Sequence, residues 1–250
     1  MTVLTERHGH IFVVRMQRPE KRNAVDRELA DGIEDALNTF EDNPDLWVGI
    51  ITGTNEVFSA GTDLTQPRSP ATPRGGEYGI IRRDRRKPMI AAVEGFALGG
   101  GFEIVLACDL VVASTTARFG LPEVERGLLP TCGGIFRSAR ALPLNIAKEL
   151  LLTGDRLDAS RAEVLGLVNR VVAPGTALEG ALELAGRICR NAPLAMRASM
   201  RALERVVAAD DVEAWAATDE AAAQIMGSAE AKEGTRAFFE KRTPNWDGLG

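Results

Sequence analysis

The chain has 250 residues, 45% of them hydrophobic, and a formal net charge of −5. This length allows a sizeable core in one or two domains. The mild acidity gives no support to sequence-independent binding of nucleic acid, which needs a basic surface. The one basic cluster, at 82–87, is too short to change this and is interpreted as a solvated helix face.

Cysteine and histidine are scarce. Cys108, Cys132 and Cys189 lie far apart without the spacing of a zinc site or a disulfide framework, so each is interpreted as a small apolar filler. Both histidines lie in the first strand-like segment, so few histidines are available for a Ser-His-Asp site. The N-terminus lacks a signal-peptide pattern, and no run has the apolar length of a transmembrane helix. We therefore expect a cytoplasmic protein that does not act on membranes.

The first quarter of the chain alternates strand-like and helical segments. Residues 3–5 and 11–16 are rich in β-formers and predict a hairpin that turns at Gly9. Asp26 is placed to cap a helix whose apolar residues recur at helical spacing. An apolar strand at 47–52 follows.

Two segments of small and polar residues come next. Residues 58–64, FSAGTDL, predict a turn, in which Asp63 is an ordinary cap or the backbone supplies an N–H donor to a ligand. Residues 65–78, rich in Pro, Gly, Ser and Arg, predict a mobile surface loop. An apolar strand at 89–93 follows this loop.

The segment at 91–113 organises the rest of the prediction. Three glycines at 99–101 open an apolar run that has Glu103 in its first turn. Glycines allow a sharp turn and close approach of another molecule, and a helix start presents unpaired N–H groups. This combination stabilises an oxyanion on a bound substrate. A glutamate in a first turn is also favourable through the helix dipole alone, so the segment by itself leaves both interpretations open.

The second half of the chain is predicted to be mainly helical. Glu123 follows Glu103 by twenty positions, in a turn after Pro122. Beyond residue 138 the helical spacing is interrupted by one β-like segment at 167–172. The sequence Asn-Ala-Pro at 191–193 marks a plausible boundary between an α/β core and a helical tail.

Taken together, these motifs resemble the crotonase, or enoyl-CoA hydratase, superfamily. FSAGTDL, EGFALGGGFEIVLACDLVVAS and FGLPEVERGLLPTCGG occur in its order and spacing, and RPEKRNAV, GLVNRVV, NAP and EGTRAFFEKRTP also match. The resemblance implies an α/β fold, the crotonase-type spiral of repeated ββα units with a helical C-terminal trimerisation region. It implies a core with the CoA site and active site at 1–190 and an oligomerisation region at 191–250, which assembles a homotrimer or a dimer of trimers.

The resemblance also implies the site. The substrate would be an acyl-CoA thioester whose oxygen is bound by the backbone N–H groups of Thr62 and Gly100, with Glu103 and Glu123 as catalytic glutamates. No metal or redox cofactor is expected, since coenzyme A is part of the substrate. Lys241 would lie near the CoA phosphates, from the same or a neighbouring subunit. The complete set of expected CoA contacts is Lys21, Arg22, Ala24, Ala60, Asp63, Leu64 and Lys241.

The two glutamates favour hydration as the reaction. Adding water to the C2=C3 bond of a trans-2-enoyl-CoA needs a base for the water and an acid for C2. Two carboxyls in an apolar cleft can divide these tasks, because burial and mutual repulsion raise one pKa. One carboxylate suffices for Δ3–Δ2 isomerisation. We therefore predict an enoyl-CoA hydratase, a hydro-lyase.

Several alternatives remain open at this stage. They are a carnitinyl-CoA-type dehydratase, a Δ3–Δ2 isomerase and a catalytically weak crotonase-like binding protein. An unrelated hydrolase is disfavoured because the chain has no GxSxG elbow. Thr131, Cys132, Ile135 and Phe136 differ from the residues that many hydratases carry near the acyl side of the site, so the acyl group is left undetermined.

Overall fold

A computed structural model describes residues 2–65, 68–207 and 211–245. Residues 66–67 of the predicted loop, 208–210 and 246–250 of the predicted C-terminal region, and residue 1 of the predicted core lie outside the described residues. The strands are β1 (Val3–His8), β2 (Ile11–Met16), β3 (Val48–Thr52), β4 (Val57–Ser59), β5 (Ala71–Thr72), β6 (Gly76–Glu77), β7 (Met89–Val93), β8 (Phe96–Leu98), β9 (Leu110–Ser114), β10 (Arg118–Gly120), β11 (Arg156–Asp158) and β12 (Arg170–Val172). The helices are α1 (Arg27–Asp42), α2 (Gly100–Leu106), α3 (Gly134–Ala141), α4 (Leu144–Thr153), α5 (Ala159–Val164), α6 (Ala177–Cys189), α7 (Pro193–Val207), α8 (Asp211–Ile225) and α9 (Ala229–Glu240).

The chain passes repeatedly between two sheets. The larger sheet has the order β1-β2-β3-β7-β9-β12 and the smaller has the order β11-β10-β8-β4. Three successive strand pairs, β3–β4, β7–β8 and β9–β10, each place their first strand in the larger sheet and their second in the smaller. Within each sheet these strands are parallel neighbours, so each unit stacks on the preceding one and the chain advances as a spiral. The predicted α/β spiral of repeated units is confirmed.

The central strands of the larger sheet, β2, β3, β7 and β9, are buried on both faces, whereas the edge strand β1 is mostly exposed. Alternate side chains of a strand point to opposite faces, and in β2 Val13 belongs to one core while Val14 belongs to the other. The core that contains Val13 also contains Ala181 and Ala185 of α6. The core that contains Val14 is formed with α1 and the smaller sheet. Parallel strands covered on both faces read as continuous apolar runs, as β7 does with the sequence MIAAV.

The segment at 65–78 is more ordered than its composition predicts. It contains the antiparallel pair β5–β6, and the following Tyr78 is buried. The buried Glu34 of α1 anchors this hairpin, because its carboxylate accepts hydrogen bonds from Thr72 Oγ1 and from the Arg74 N–H, both at 2.8 Å. The prediction of a plain surface loop is therefore wrong for 71–78.

The basic cluster at 82–87 is also not a solvated helix face. It lies in turns, and both Arg83 and Lys87 are buried. Arg83 pairs with Glu34 at 2.5 Å, and Lys87 Nζ donates to the Phe40 and Asn43 carbonyls at 2.6 and 2.7 Å. These carbonyls lie at the C-terminal end of α1, where the helix dipole favours a cation.

The C-terminal helices begin where the Asn-Ala-Pro motif predicts a boundary, since α6 ends at Cys189 and α7 begins at Pro193. Trp215 of α8 contacts the core, with its ring 5.0 Å from that of Phe136 and the Arg82 guanidinium 3.6 Å above it. No described helix is long and apolar enough to cross a membrane.

Candidate active site

Two glycine-dependent turns meet at the centre of the molecule. Gly99, with φ +54°, allows the chain to turn from β8 into α2. A Cβ on Gly61 would lie 2.7 Å from the Gly100 nitrogen, so only a glycine at 61 allows the turn after β4 to approach α2 this closely. A Cβ on Gly101 would overlap with the Ser59 carbonyl. The glycines therefore bring the FSAGTDL turn against the start of the helix.

Each turn carries a backbone N–H without a hydrogen-bond partner. Val25 N–H donates to the Gly61 carbonyl at 2.7 Å, and Asp63 N–H donates to the Val25 carbonyl at 3.0 Å. In the part of the chain that the structure describes, no hydrogen bond is found from the N–H groups of Thr62 or Gly100. Two unpaired donors on adjoining turns form an arrangement that can stabilise negative charge on a ligand oxygen.

Glu103 lies one turn into α2, and its side chain is buried. The residue is 2% exposed, and its Oε1 accepts hydrogen bonds from the N–H groups of Cys132 and Gly134 at 2.7 and 2.8 Å. A Cβ on Gly134 would lie 2.9 Å from this oxygen, which explains the glycine there. Burial raises the pKa of Glu103 to about 7, against the effect of the two hydrogen bonds.

Glu123 approaches the same turn from the 3₁₀ helix Pro122–Arg126, which follows β10. Its Oε1 lies 3.1 Å from the position that a Cβ would take on Gly99. Its Oε2 is buried and finds no hydrogen-bond partner among the described residues. Burial and, after it, the charge on Glu103 raise the pKa of Glu123 to about 8. The structure thus brings the two predicted glutamates together, and two backbone N–H groups favour the charged form of Glu103.

The structure also brings six of the seven predicted CoA-binding residues together. The loop containing Lys21, Arg22 and Ala24 lies along the turn containing Ala60, through the hydrogen bond from Ala60 N–H to the Arg22 carbonyl at 3.0 Å and the bridge between Val25 and Thr62. The side chains of Lys21, Arg22 and Ala60 are exposed, as a binding surface requires. Asp63 and Leu64 complete the set.

The Asp63 carboxylate holds the turn together. It accepts hydrogen bonds from Arg18 Nη1 at 2.8 Å and from Thr65 Oγ1 at 2.7 Å. Burial raises the pKa of Asp63, but these hydrogen bonds outweigh burial and lower the pKa overall. Its side chain and its N–H are therefore both used within the protein.

Sequence reasoning missed Asn23, which joins the two halves of this surface. It is fully buried with φ +52°, and its Nδ2 donates to the Phe58 carbonyl at 3.0 Å. Its own carbonyl accepts from Ser59 Oγ at 2.8 Å. Its place in the matched segment RPEKRNAV was the one feature of the sequence that could have revealed it. Its role could not be predicted, because its partners lie more than thirty residues away in the chain.

Lys241, the seventh predicted CoA-binding residue, makes no direct polar contact with this surface in the part of the chain that the structure describes. It ends α9 with φ +54°, and α9 packs on the 3₁₀ helix that carries Glu123. Within 2–65, 68–207 and 211–245 no hydrogen bond or ion pair joins Lys241 to residues 21–24 or 60–64.

Sequence reasoning also missed Tyr78, which lay in the predicted loop. Its hydroxyl is 2.6 Å from Thr62 Oγ1, and its ring fills the space where a Cβ on Gly100 would stand. It is the only tyrosine in the chain, and this was the one signal that the sequence offered.

A spiral α/β scaffold therefore carries a site with paired N–H donors and two buried carboxyls of raised pKa. Such an arrangement is typical of enzymes that stabilise an oxyanion and transfer protons beside it. No cluster of His, Cys, Asp and Glu able to hold a metal ion is found among the residues that the structure describes.

Comparison with known proteins agrees with this class. The family model described as enoyl-CoA hydratase/isomerase matches residues 6–249. The chain is 42% identical to a mevalonyl-coenzyme A hydratase of Aspergillus fumigatus, covering 95% of this chain and 91% of the relative. It is 40% identical to an enoyl-CoA hydratase of Mycobacterium tuberculosis, covering 97% and 95%. A solved structure of a carnitinyl-CoA hydratase from Mycobacterium avium superimposes with a TM-score of 0.93, at 41% identity and 98% coverage of both chains.

The chain belongs to the enoyl-CoA hydratase/isomerase family. This confirms the resemblance to the crotonase superfamily, and with it the predicted α/β spiral followed by a helical C-terminal region.

Proposed function

We propose that the protein is an enoyl-CoA hydratase, which reversibly adds water to the C2=C3 bond of a trans-2-enoyl-CoA thioester. The observation that carries the proposal is the pair of buried carboxyls beside two unpaired N–H groups. Family membership and full-length similarity to a hydratase support it. A one-carboxylate isomerase would leave a second buried carboxyl without a task, and burying an ionisable group is costly.

The N–H groups of Thr62 and Gly100 act as the oxyanion hole. When hydroxide adds to C3, the electrons of the double bond move through C2 and leave an enolate whose charge lies on the thioester oxygen. Fixed donors stabilise this charge without having to reorganise, and removing one such donor typically costs about 3–4 kcal/mol in the transition state. Gly100 contributes further because its N–H lies at the positive end of α2.

Glu103 and Glu123 divide the proton transfers. Because two backbone N–H groups bind its carboxylate and favour the charged form, Glu103 accepts a proton from water as the oxygen bonds to C3. Glu123 retains its proton longer and delivers it to C2 from the oxygen that has no partner in the protein. A proton then passes from Glu103 to Glu123, which restores the starting state with one water added.

The CoA moiety binds along the surface formed by Lys21, Arg22, Ala24, Ala60 and Leu64, together with the backbone of Asp63. The two exposed cations suit the phosphates of CoA. Lys241 joins them from a neighbouring subunit. No metal or redox cofactor takes part.

Residues 1–190 form the catalytic core and residues 191–250 assemble the subunits as a homotrimer or a dimer of trimers. Helices α7–α9 support this, since they expose large apolar side chains, which include Leu194, Leu203, Phe238 and Phe239. The protein acts in the cytoplasm, where unpaired thiols such as Cys108, Cys132 and Cys189 remain reduced.

A panel of enoyl-CoA and hydroxyacyl-CoA thioesters tests the proposal. We expect the enzyme to convert at least one enoyl-CoA into a product heavier by one water, as measured by mass spectrometry, and to catalyse the reverse reaction. Movement of the double bond without a change in mass would instead identify an isomerase. Binding without any turnover would identify a catalytically weak binding protein.

A second candidate is a dehydratase for a carnitinyl-type acyl group. The structural similarity to a carnitinyl-CoA hydratase favours it. Thr131, Cys132 and Phe136, which depart from the usual hydratase residues, leave the acyl group undetermined. The same two carboxyls serve both reactions, so only the acyl group distinguishes them. Competition between crotonyl-CoA and crotonobetainyl-CoA in the panel decides which one has the higher kcat/KM.

A further inference from the structure

Tyr78 has an unusual backbone conformation for a bulky residue. Its φ is +58°, a region that residues with a large side chain rarely adopt. Its N–H donates to the Pro70 carbonyl at 2.8 Å, and the preceding hairpin is anchored to α1 through Glu34. Strained conformations held by their surroundings in this way cluster at functional sites.

The Tyr78 hydroxyl belongs to a cluster of polar groups beside the candidate oxyanion hole. It lies 2.6 Å from Thr62 Oγ1 and 3.1 Å from Ser69 Oγ, and these two oxygens are 3.2 Å apart. Burial raises the pKa of Tyr78 well above its usual value, so the hydroxyl remains a donor.

The same side chain therefore contacts both turns of the site. Its hydroxyl bonds to Thr62, and its ring lies against the Cα of Gly100. Gly100 begins α2, the helix that carries Glu103. A 1% exposed ring in contact with both turns has little freedom to move.

We propose that Tyr78 is a positioning residue, which sets the separation of the Thr62 and Gly100 N–H groups and their placement relative to Glu103. The inference rests on the hydratase function proposed above. Tyr78 does not transfer a proton or bond to the substrate. Its hydroxyl fixes the turn at Thr62, and its ring fixes the distance from that turn to α2.

This role affects the transition state more than the bound substrate. The enolate oxygen carries far more charge than the thioester carbonyl. A displaced N–H donor therefore raises the free energy of the transition state more than that of the bound substrate. Loss of the Tyr78 hydroxyl should therefore lower kcat and leave KM little changed. A role in stability alone would lower the melting temperature without lowering kcat at an unchanged KM.

The test is a double-mutant cycle on the best substrate of the panel. We expect Tyr78→Phe, which keeps the ring, to lower kcat about tenfold to hundredfold with KM within about twofold. Thr62→Val removes the other half of the same hydrogen bond and should have a similar effect. The double variant should be hardly worse than either single variant, because both lose one interaction.

Thr52→Val is the matched control for loss of a buried hydroxyl. Thr52 Oγ1 donates to the Ala92 carbonyl at 2.9 Å within the larger sheet, away from the site. It should lower the melting temperature about as much as Tyr78→Phe while kcat stays unchanged.

Three results would overturn the inference. They are a Tyr78→Phe enzyme with kcat near that of the wild type, a loss confined to KM, and fully additive losses in the double variant. Each leaves the hydratase function standing, because the wild type is active in the same assay. A wild type that hydrates no thioester of the panel would overturn the function and the inference together.

Discussion

Glu103 and Glu123 differ in what their oxygens contact. Two backbone N–H groups bind one oxygen of Glu103, whereas Glu123 Oε2 has no protein partner among the described residues. Hydrogen bonds to the charged form offset part of the effect of burial at Glu103, and the charge on Glu103 adds to burial at Glu123. Two identical side chains thereby lie in different surroundings, and the roles proposed for them rest on this difference.

This difference predicts a bell-shaped dependence of kcat/KM on pH. Activity should fall below about pH 7, where Glu103 becomes protonated, and above about pH 8, where Glu123 loses its proton. The two limbs report the pair as a whole, because the groups titrate together. The measurement is kcat/KM from about pH 5 to about pH 10. A profile that is flat across this range would contradict the assignment of acid and base.

At the CoA surface, Lys21→Ala should raise KM several-fold while kcat changes little. The lysine would contact a phosphate remote from the reacting bond, so it binds substrate and transition state equally. The effect should shrink as salt is added. Lys148→Ala, which removes an exposed lysine of α4, is the control, and steady-state kinetics measure both. Equal KM values for the two variants would show that Lys21 does not bind CoA.

Residues with a chemical signature could be predicted, and residues that act through packing could not. Glu103 stands out because it interrupts an apolar run after three glycines. Tyr78 and Asn23 carry no such signal, because their partners come from distant segments. The role of Asp63 was open for the same reason, since Arg18 is 45 positions away.

At the scale of elements, Glu34 connects the hairpin β5–β6 to α1. Its carboxylate binds Thr72, the Arg74 N–H and Arg83, whose side chain is 2% exposed. Burial raises the pKa of Glu34. The hydrogen bonds from Arg74 and Thr72 and the charge on Arg83 outweigh this effect and lower the pKa overall.

We expect Glu34→Ala to destabilise the protein by about 3 kcal/mol, because it leaves the Arg83 guanidinium buried without its carboxylate. The matched control is Asp42→Ala, which removes an exposed ion pair with Arg74 and should have no measurable effect. Urea unfolding measures both. Equal stability of the two variants would show that Glu34 does not anchor the hairpin.

Long, periodic elements were predictable and short ones were not. The helix capped by Asp26 has a clear helical period, and the strands at 11–16 and 89–93 are runs of β-forming apolar residues, and the structure has all three. Strands β5, β6 and β8 have two or three residues, too few for a period to register. Arg83 was taken for a surface charge because its partner Glu34 is 49 positions away.

At the scale of the whole molecule, the proposed assembly predicts a particle of about 81 kDa or its double, three or six times the 26.9 kDa of one chain. The apolar side chains exposed on α7–α9 would be covered between subunits. Light scattering at micromolar concentration measures the mass. A monomer would contradict both the trimer and the contribution of Lys241 from a neighbour.

The central claim is that two carboxyls share the hydration of one double bond. Its most direct test is kcat for Glu103→Gln, for Glu123→Gln and for the double variant on the best enoyl-CoA. Glutamine keeps the volume but transfers no proton, so each single change should lower kcat by about 10²–10⁴. The double variant should be little worse, since both groups act on one water. Stabilisation by free CoA in a thermal shift assay should persist in all three and serves as the folding control. If Glu123→Gln retained nearly full hydratase activity, the two-carboxyl mechanism would be wrong, and a one-base reaction centred on Glu103 would replace it.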